Sequence, residues 1–263
     1  PDSNEEQVSY QMINVEARML KKIYHSWYAG LQFNYQNMYN VSQKEGGLLA
    51  TEQTTGYTGG TSLGWGLLSI WDKRDNALNS SKGYYAELSA RFFSKNRGSD
   101  FDYHMFQWDL RYFKDLTQEK KHILAFQNVA TFMTGEPPFR RMGILGGSTI
   151  MRGLYQGRFR DRNLLAFQTE YRYQVLDRWA LAAFAATGQV ANHIQTFALK
   201  DFKYTYGAGL RFRLTDAGIN LRLDYGRTKD GSGNFYITFN EAKAKPGLRM
   251  TVVQGLPSPC RRP

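Results

Sequence analysis

Apolar and polar side chains alternate with a period of two along many segments of this chain, and turn-forming residues separate the segments. One such segment carries Tyr84, Ala86, Leu88, Ala90 and Phe92 at alternate positions, with mostly polar residues between them. A period of two places the two sets on opposite faces of a β-strand. The pattern therefore predicts strands with one apolar face and one polar, often charged, face.

The length of these segments separates two kinds of β-protein. Strands in soluble domains are typically about 5–6 residues long. The segments here run for about 9–11 residues, which is the length that a tilted strand needs to cross a bilayer. The chain is therefore predicted to be all-β, an antiparallel transmembrane β-barrel whose apolar faces contact lipid and whose polar faces line a wet lumen.

Alternation and turn signals together predict about eleven strands, or twelve if two were merged. The connections between them alternate between short and long, and short turns are periplasmic in outer-membrane barrels while long loops are external. Since single-chain bacterial barrels usually have an even strand count, an odd count favours a chain that begins inside a larger barrel. The predicted strands span 8–21, 27–41, 60–72, 83–95, 101–114, 121–134, 163–176, 179–192, 202–214, 218–228 and 234–242.

Two domains of unequal size follow from this division. Residues 1–242 are predicted to form the barrel, as the C-terminal portion of a larger one. Residues 243–263 break the alternating pattern and concentrate proline near the end. We expect this segment to be a disordered or appended tail.

Composition agrees with a membrane barrel and excludes other classes. Aromatic residues make up 15% of the chain, which suits aromatic girdles at both membrane interfaces. The net charge is +11, but the basic residues are scattered and form no stripe, so nucleic-acid binding is not expected. With one cysteine and four histidines at no ligand-like spacing, the sequence predicts no metal site and no cofactor. No catalytic motif is present, so the protein is not expected to be an enzyme.

Two motifs carry a resemblance to a known family. The first is Asp72-Lys73-Arg74-Asp75-Asn76, and the second is Arg152-Gly153-Leu154-Tyr155 within a glycine-rich connection. With the glycine-containing strands near 206–211 and 219–226, they resemble the bacterial surface antigen family, the barrel domain of BamA- and TamA-like outer-membrane proteins. The resemblance covers about residues 8–242. It implies that five barrel strands and the periplasmic POTRA repeats would precede this segment.

The resemblance also implies a site inside the barrel. The long connection 134–162 would fold into the lumen, anchored by Arg152, Gly153 and Tyr155. The family usually has an aromatic residue directly after Arg-Gly, whereas here Leu154 intervenes before Tyr155. A buried guanidinium needs a carboxylate partner, and we expect Arg152 to contact Glu170 or Asp224, with Asp224 favoured.

Two further elements complete the expected site. Asp72, Arg74, Asp75 and Asn76 are predicted to form a periplasmic turn capped by their own side chains, with partner docking as the alternative. The last strand, 234–242, would be the seam strand and presents Phe235, Ile237 and Phe239 on one face.

The resemblance implies a function in the bacterial outer membrane. The protein would insert and assemble outer-membrane proteins, or translocate them. Its partners would be outer-membrane lipid, client polypeptides and accessory lipoproteins. Two alternatives stay open from the sequence: a passive porin-like channel, and the membrane-anchor barrel of a fused lipase.

Overall fold

The computed structural model describes residues 6–42, 54–239 and 248–260, and most of these residues lie in β-strands. The short 3₁₀ turns between strands contribute three residues each. In the described part of the chain, no helix combines the length and apolarity needed to cross a membrane. The strands are β1 Glu6–Tyr24, β2 Trp27–Ser42, β3 Gly60–Asp72, β4 Gly83–Phe93, β5 Tyr103–Asp115, β6 His122–Gly135, β7 Gly143–Leu145, β8 Phe159–Asp161, β9 Asn163–Leu176, β10 Trp179–Ala191, β11 Lys203–Arg213, β12 Asn220–Thr228, β13 Gly233–Phe239 and β14 Leu248–Cys260.

Twelve of these strands form one antiparallel sheet in the order β13-β12-β11-β10-β9-β6-β5-β4-β3-β2-β1-β14. Strands that are neighbours in sequence are therefore neighbours in space, as in an up-and-down barrel. One exception is the step from β6 to β9, because β7 and β8 leave the main sheet and pair with each other. The other is β14, which follows β13 in sequence but pairs with β1 at the opposite end of the sheet order. The connection between β6 and β9 is thus the one long insertion that builds its own structure within the described chain.

Side-chain burial is inverted relative to a soluble protein. Large apolar side chains on one face of the sheet are open, with Leu67 56% and Leu181 51% exposed. Polar side chains on the other face are enclosed, with Gln32, Asn34 and Arg211 at most 4% exposed. An apolar exterior around a polar interior is the arrangement of a transmembrane barrel. The predicted fold class is confirmed.

The eleven predicted strands all occur, and most boundaries agree within two residues. The hairpin β7–β8 was missed because its strands are only three residues long. That is too short for a period of two to stand out.

Part of the segment expected to be a disordered or appended tail, Leu248–Cys260, is a strand in the sheet. These residues form β14, which pairs antiparallel with β1 from Ala17↔Leu248 to Glu6↔Cys260. An edge strand presents a row of free backbone donors and acceptors, and an extended segment satisfies them whatever its side-chain pattern. Residues 240–242 of the expected last strand, and 243–247 and 261–263 of the expected tail, lie outside the described residues.

Candidate functional site

The connection between β6 and β9 folds into the barrel as a hairpin with an apolar underside. We call residues 146–158, between β7 and β8, the lumen loop. Leu145, Met151 and Leu154 are at most 3% exposed and pack on Leu164 and Ala166 of β9. Burying one such side chain contributes about 1.5–3 kcal/mol. Apolar contacts inside an otherwise polar lumen therefore hold the loop in place.

Arg152 lies at the centre of this arrangement, with its side chain 2% exposed. One guanidinium nitrogen donates to Asp224 Oδ2 at 2.9 Å and another donates to Glu170 Oε2 at 2.7 Å. The structure thus brings Arg152 to both acids, where the sequence predicted a contact with one of the two and favoured Asp224. The guanidinium carbon also lies 3.6 Å from the centre of the Phe184 ring, a close cation–π contact.

Three more arginines surround the same two carboxylates. Arg211 donates to Asp224 Oδ1 at 2.5 Å and to Glu170 Oε2 at 3.1 Å. Arg172 donates to Glu170 Oε1 at 2.8 Å, and Arg222 donates to Asp224 Oδ2 at 3.1 Å. Four guanidinium groups face two carboxylates, a formal excess of two positive charges. We call these six side chains the charge cluster.

Glycines in the barrel sheet leave space where the lumen loop packs against it. Phe184 pairs across the sheet with Gly207, and Gly207 pairs with Gly226. A Cβ atom on Gly226 would lie 2.5 Å from the carbonyl carbon and oxygen of Arg152. A Cβ atom on Gly209 would lie 2.0 Å from Asp224 Oδ1. The sheet therefore accommodates the loop backbone at Gly226 and the Asp224 carboxylate at Gly209 only because glycine has no side chain.

Strand β13, at the end of the sheet order, also holds the lumen loop. Gly153 donates its backbone N–H to the Tyr236 hydroxyl at 3.1 Å, and that hydroxyl donates to the Leu154 carbonyl at 3.2 Å. Asn234 donates its amide to the Gly153 carbonyl at 2.8 Å. Gly153 has a φ of +112°, a conformation that side chains disfavour. The Arg-Gly segment is thereby docked on β12 and β13.

Tyr155 and the three seam residues are all exposed. Tyr155 was expected to anchor the loop, but it is 53% exposed while Leu154 is buried. The turn directs Leu154 into the apolar underside, and the anchoring role of Tyr155 stays a prediction. The seam residues Phe235, Ile237 and Phe239 lie on the outward face of β13, at 83%, 70% and 60% exposure.

Sequence reasoning missed much of the surroundings of Arg152. Phe184, Arg211, Arg222 and Tyr236 were given no role, although each contacts the loop or its acids. The pair Gly207 and Gly209 could have pointed to this region. Glycines at alternate positions of a strand leave one face of the sheet without side chains, so that another segment can pack closely against it.

Comparison with known proteins identifies the family. A family model described as the Omp85 superfamily domain matches residues 2–242. The chain belongs to the Omp85 superfamily. Among solved structures, BamA from Haemophilus ducreyi lacking POTRA domains 1–3 is similar with a TM-score of 0.67 and 12% identity, over 94% of this chain and 55% of that one. CdiB from Acinetobacter baumannii is similar with a TM-score of 0.55 and 14% identity, over 88% and 41%. A search of curated proteins found no match.

This Omp85 chain therefore spans about half the length of these two solved relatives. At such identities the structural likeness establishes the fold, and the family assignment rests on the domain match. Across the described residues, no group of three or more His, Cys, Asp or Glu side chains is placed to hold a metal ion.

The turn motif of this Omp85 barrel lies in the connection between β3 and β4. Asp72 accepts two bonds from the Arg74 guanidinium, at 2.8 and 2.7 Å. Asp75 accepts from the Ser81 amide at 2.9 Å and from the Ser81 hydroxyl. Asn76 accepts from the Leu78 amide at 2.7 Å. The four motif side chains thus bond within the turn, as capping residues do.

Acid should weaken this turn through Asp75. Partial burial raises the pKa of Asp75, but bonds from the Ser81 side chain and from backbone amides outweigh it and lower the pKa from 3.8 to about 2. A carboxyl whose pKa is lower in the folded state stabilises that state above its unfolded pKa and loses this effect as pH falls through the folded value. The loss should therefore fall between pH 3.8 and about 2.

The test compares the melting temperatures of the parent and Asp75→Asn in vesicles. At pH 6 the variant should melt lower, because it lacks the charged acceptor, and at pH 2 the difference should shrink. An equal difference at both pH values would contradict the assignment to Asp75.

Proposed function

We propose that this Omp85 barrel lies in the bacterial outer membrane and acts in the insertion or translocation of other polypeptides, without enzymatic catalysis. Its partners would be membrane lipid, client polypeptides and accessory lipoproteins. Membership of the superfamily supports this proposal, as does the likeness in fold to a BamA barrel. The folded-in lumen loop favours it over a passive porin-like channel, because the loop occupies the path that solutes would take.

The position of β13 carries the proposal. β13 stands at the end of the sheet order and pairs with β12, and no described strand pairs with its other edge. A free strand edge offers backbone donors and acceptors to an extended peptide, which adds as a further strand. The inward side chains of the same strand, Asn234 and Tyr236, hold the Arg-Gly segment. A client strand that adds to β13 would therefore form next to the lumen loop.

A disulfide trap tests this position. Ile237→Cys, in a Cys260→Ser background, places a thiol on the outward face of β13, and the probe is a small urea-unfolded outer-membrane barrel with one cysteine in its last strand. During folding of the probe into vesicles that contain the variant, we expect a disulfide between the two chains. Leu223→Cys is the matched control, since it faces outward on β12, which has neighbours on both sides. Equal trapping by the two variants, or none by Ile237→Cys, would overturn the proposal.

A further inference from the structure

The connection between β3 and β4 reaches a distant part of the wall. Residues 73–82, which we call the cross-link segment, include Asn76, whose side-chain amide donates to the Ala217 carbonyl at 3.0 Å. Ala217 lies in the turn between β11 and β12, five strand positions from β4 in the sheet. A Cβ atom on the adjacent Gly218 would lie 3.1 Å from Asn76 Nδ2 and from Asn79 Cβ. The segment therefore crosses the interior at the end of the barrel that carries the short turns.

Part of the cross-link segment is enclosed by this crossing. Ser80 is 4% exposed and Ser81 is 3% exposed, although both lie in a connection between strands. The Ser80 hydroxyl donates to the Asn76 carbonyl at 2.7 Å, which folds the segment on itself. By the topology rule for outer-membrane barrels, the end with short turns is periplasmic. The segment thus obstructs the periplasmic end, whereas the lumen loop enters from the opposite end.

Arg172 joins the two obstructions. Its Nε atom donates to Glu170 Oε1 at 2.8 Å, while Arg152 of the lumen loop donates to Glu170 Oε2 at 2.7 Å. Another nitrogen of Arg172 donates to Asn79 Oδ1 at 3.3 Å and to the Ser80 carbonyl at 3.2 Å. Glu170 therefore connects the lumen loop to the cross-link segment, because one of its oxygens bonds Arg152 and the other bonds Arg172. The connection runs through the side chains of Arg152, Glu170 and Arg172 and ends on the Asn79 side chain and the Ser80 carbonyl.

We propose that the cross-link segment is a periplasmic plug and that Arg172, as a positioning residue, couples it to the lumen loop through Glu170. While Arg152 is docked, the Glu170 carboxylate is held from two sides and orients Arg172 toward the segment. When Arg152 withdraws, Glu170 Oε2 loses its shortest bond and keeps the longer one from Arg211 at 3.1 Å. The carboxylate is then held less tightly, and the two long bonds from Arg172 to the segment weaken. Coupling of this kind is reciprocal, so loss of the segment also loosens the loop. The inference goes beyond the proposed function, because it concerns the order in which the two ends of the barrel open.

A thiol at the buried Ser80 reports on the plug. In the full chain with Cys260→Ser and Ser80→Cys, reconstituted in vesicles, labelling by a water-soluble maleimide should be slow. We expect Arg172→Ala and Arg152→Ala each to speed labelling by about tenfold or more, since bonds to a charged group are lost in each case. Arg111→Ala is the matched control, because Arg111 is a lumen arginine that bonds Asp109 instead of Glu170 or the segment. It should leave the rate unchanged.

A second variant tests the coupling from the other end without changing any charge. Asn79→Ala removes one of the two acceptors that Arg172 uses on the segment. We expect faster labelling at residue 80 and also faster cleavage of the lumen loop by added protease. Unchanged labelling in Arg172→Ala or in Arg152→Ala would overturn the proposal. So would faster labelling in Asn79→Ala with no change in loop cleavage, because the segment would then move independently of the loop.

Discussion

Replacement of Arg152 by alanine should release the lumen loop and lower the free energy of unfolding by about 3 kcal/mol. Removing one partner from a buried ion pair typically costs about 3–5 kcal/mol. Here the lower end applies, since Arg172, Arg211 and Arg222 remain beside Glu170 and Asp224, and neither carboxylate is left without a counter-charge. The lost contact with Phe184 adds to the effect.

Three measurements on the Arg152→Ala barrel in lipid bilayers test whether the lumen loop is released. The melting temperature should fall, protease should cut the chain within 146–158, and the conductance across a planar bilayer should rise as the lumen empties. Arg152→Lys should give an intermediate result, because an ammonium keeps the charge but cannot reach both carboxylates as the planar fork does. Arg158→Ala is the matched control on the same loop. The ion pair of Arg158 with Asp230 is long, at 3.4 Å, and the Asp230 side chain is 59% exposed. An Arg152→Ala barrel as protease-resistant as the control would contradict the anchoring role.

The strands of the barrel could be predicted because the pattern that specifies each strand lies within that strand's own sequence. A period of two depends only on neighbouring residues, and a long strand gives that period many repeats. Strands such as β9 and β10 are accordingly found at their predicted places, with the two-residue turn Asp177-Arg178 between them. The edge partner of β1 could not be found this way. β14 pairs through backbone groups that any extended segment offers. Its sequence alternates only over residues 248–252, before a second valine and two prolines interrupt the pattern.

The site could be predicted only in part, because its contacts join residues far apart in sequence. The resemblance pointed to Arg152, and the need for a counter-charge pointed to acids on inward strand positions. The convergence of Arg211 and Arg222 on the same acids depends on the register between β11 and β12, where these two arginines face each other. The bond from Asn76 to the Ala217 carbonyl spans 141 residues and depends on the curvature of the whole wall. No local pattern contains that information.

The second large effect should come from Gly226→Ala, which adds one methyl group to the wall beneath the loop. The new Cβ atom would lie 2.5 Å from the Arg152 carbonyl group and 2.7 Å from the Gly153 nitrogen. These are backbone atoms, so no side-chain rotation relieves the overlap and the Arg-Gly segment must lift from the wall. Crowding of this kind typically costs about 1–3 kcal/mol. The bonds from Asn234 and Tyr236 to the segment should weaken together with it.

This variant separates the position of the loop from its charge, because all six members of the charge cluster are retained. Protease should cut the loop in Gly226→Ala as in Arg152→Ala, and the double variant should be little worse than either alone, since both disrupt the same docked state. Tyr225→Phe is the matched control, because its ring lies on the outward face of the same strand, 4.6 Å from the Phe235 ring centre. If Gly226→Ala left the loop protected, the close approach of wall and loop would not be required for docking. The charge cluster alone would then hold Arg152 in the lumen.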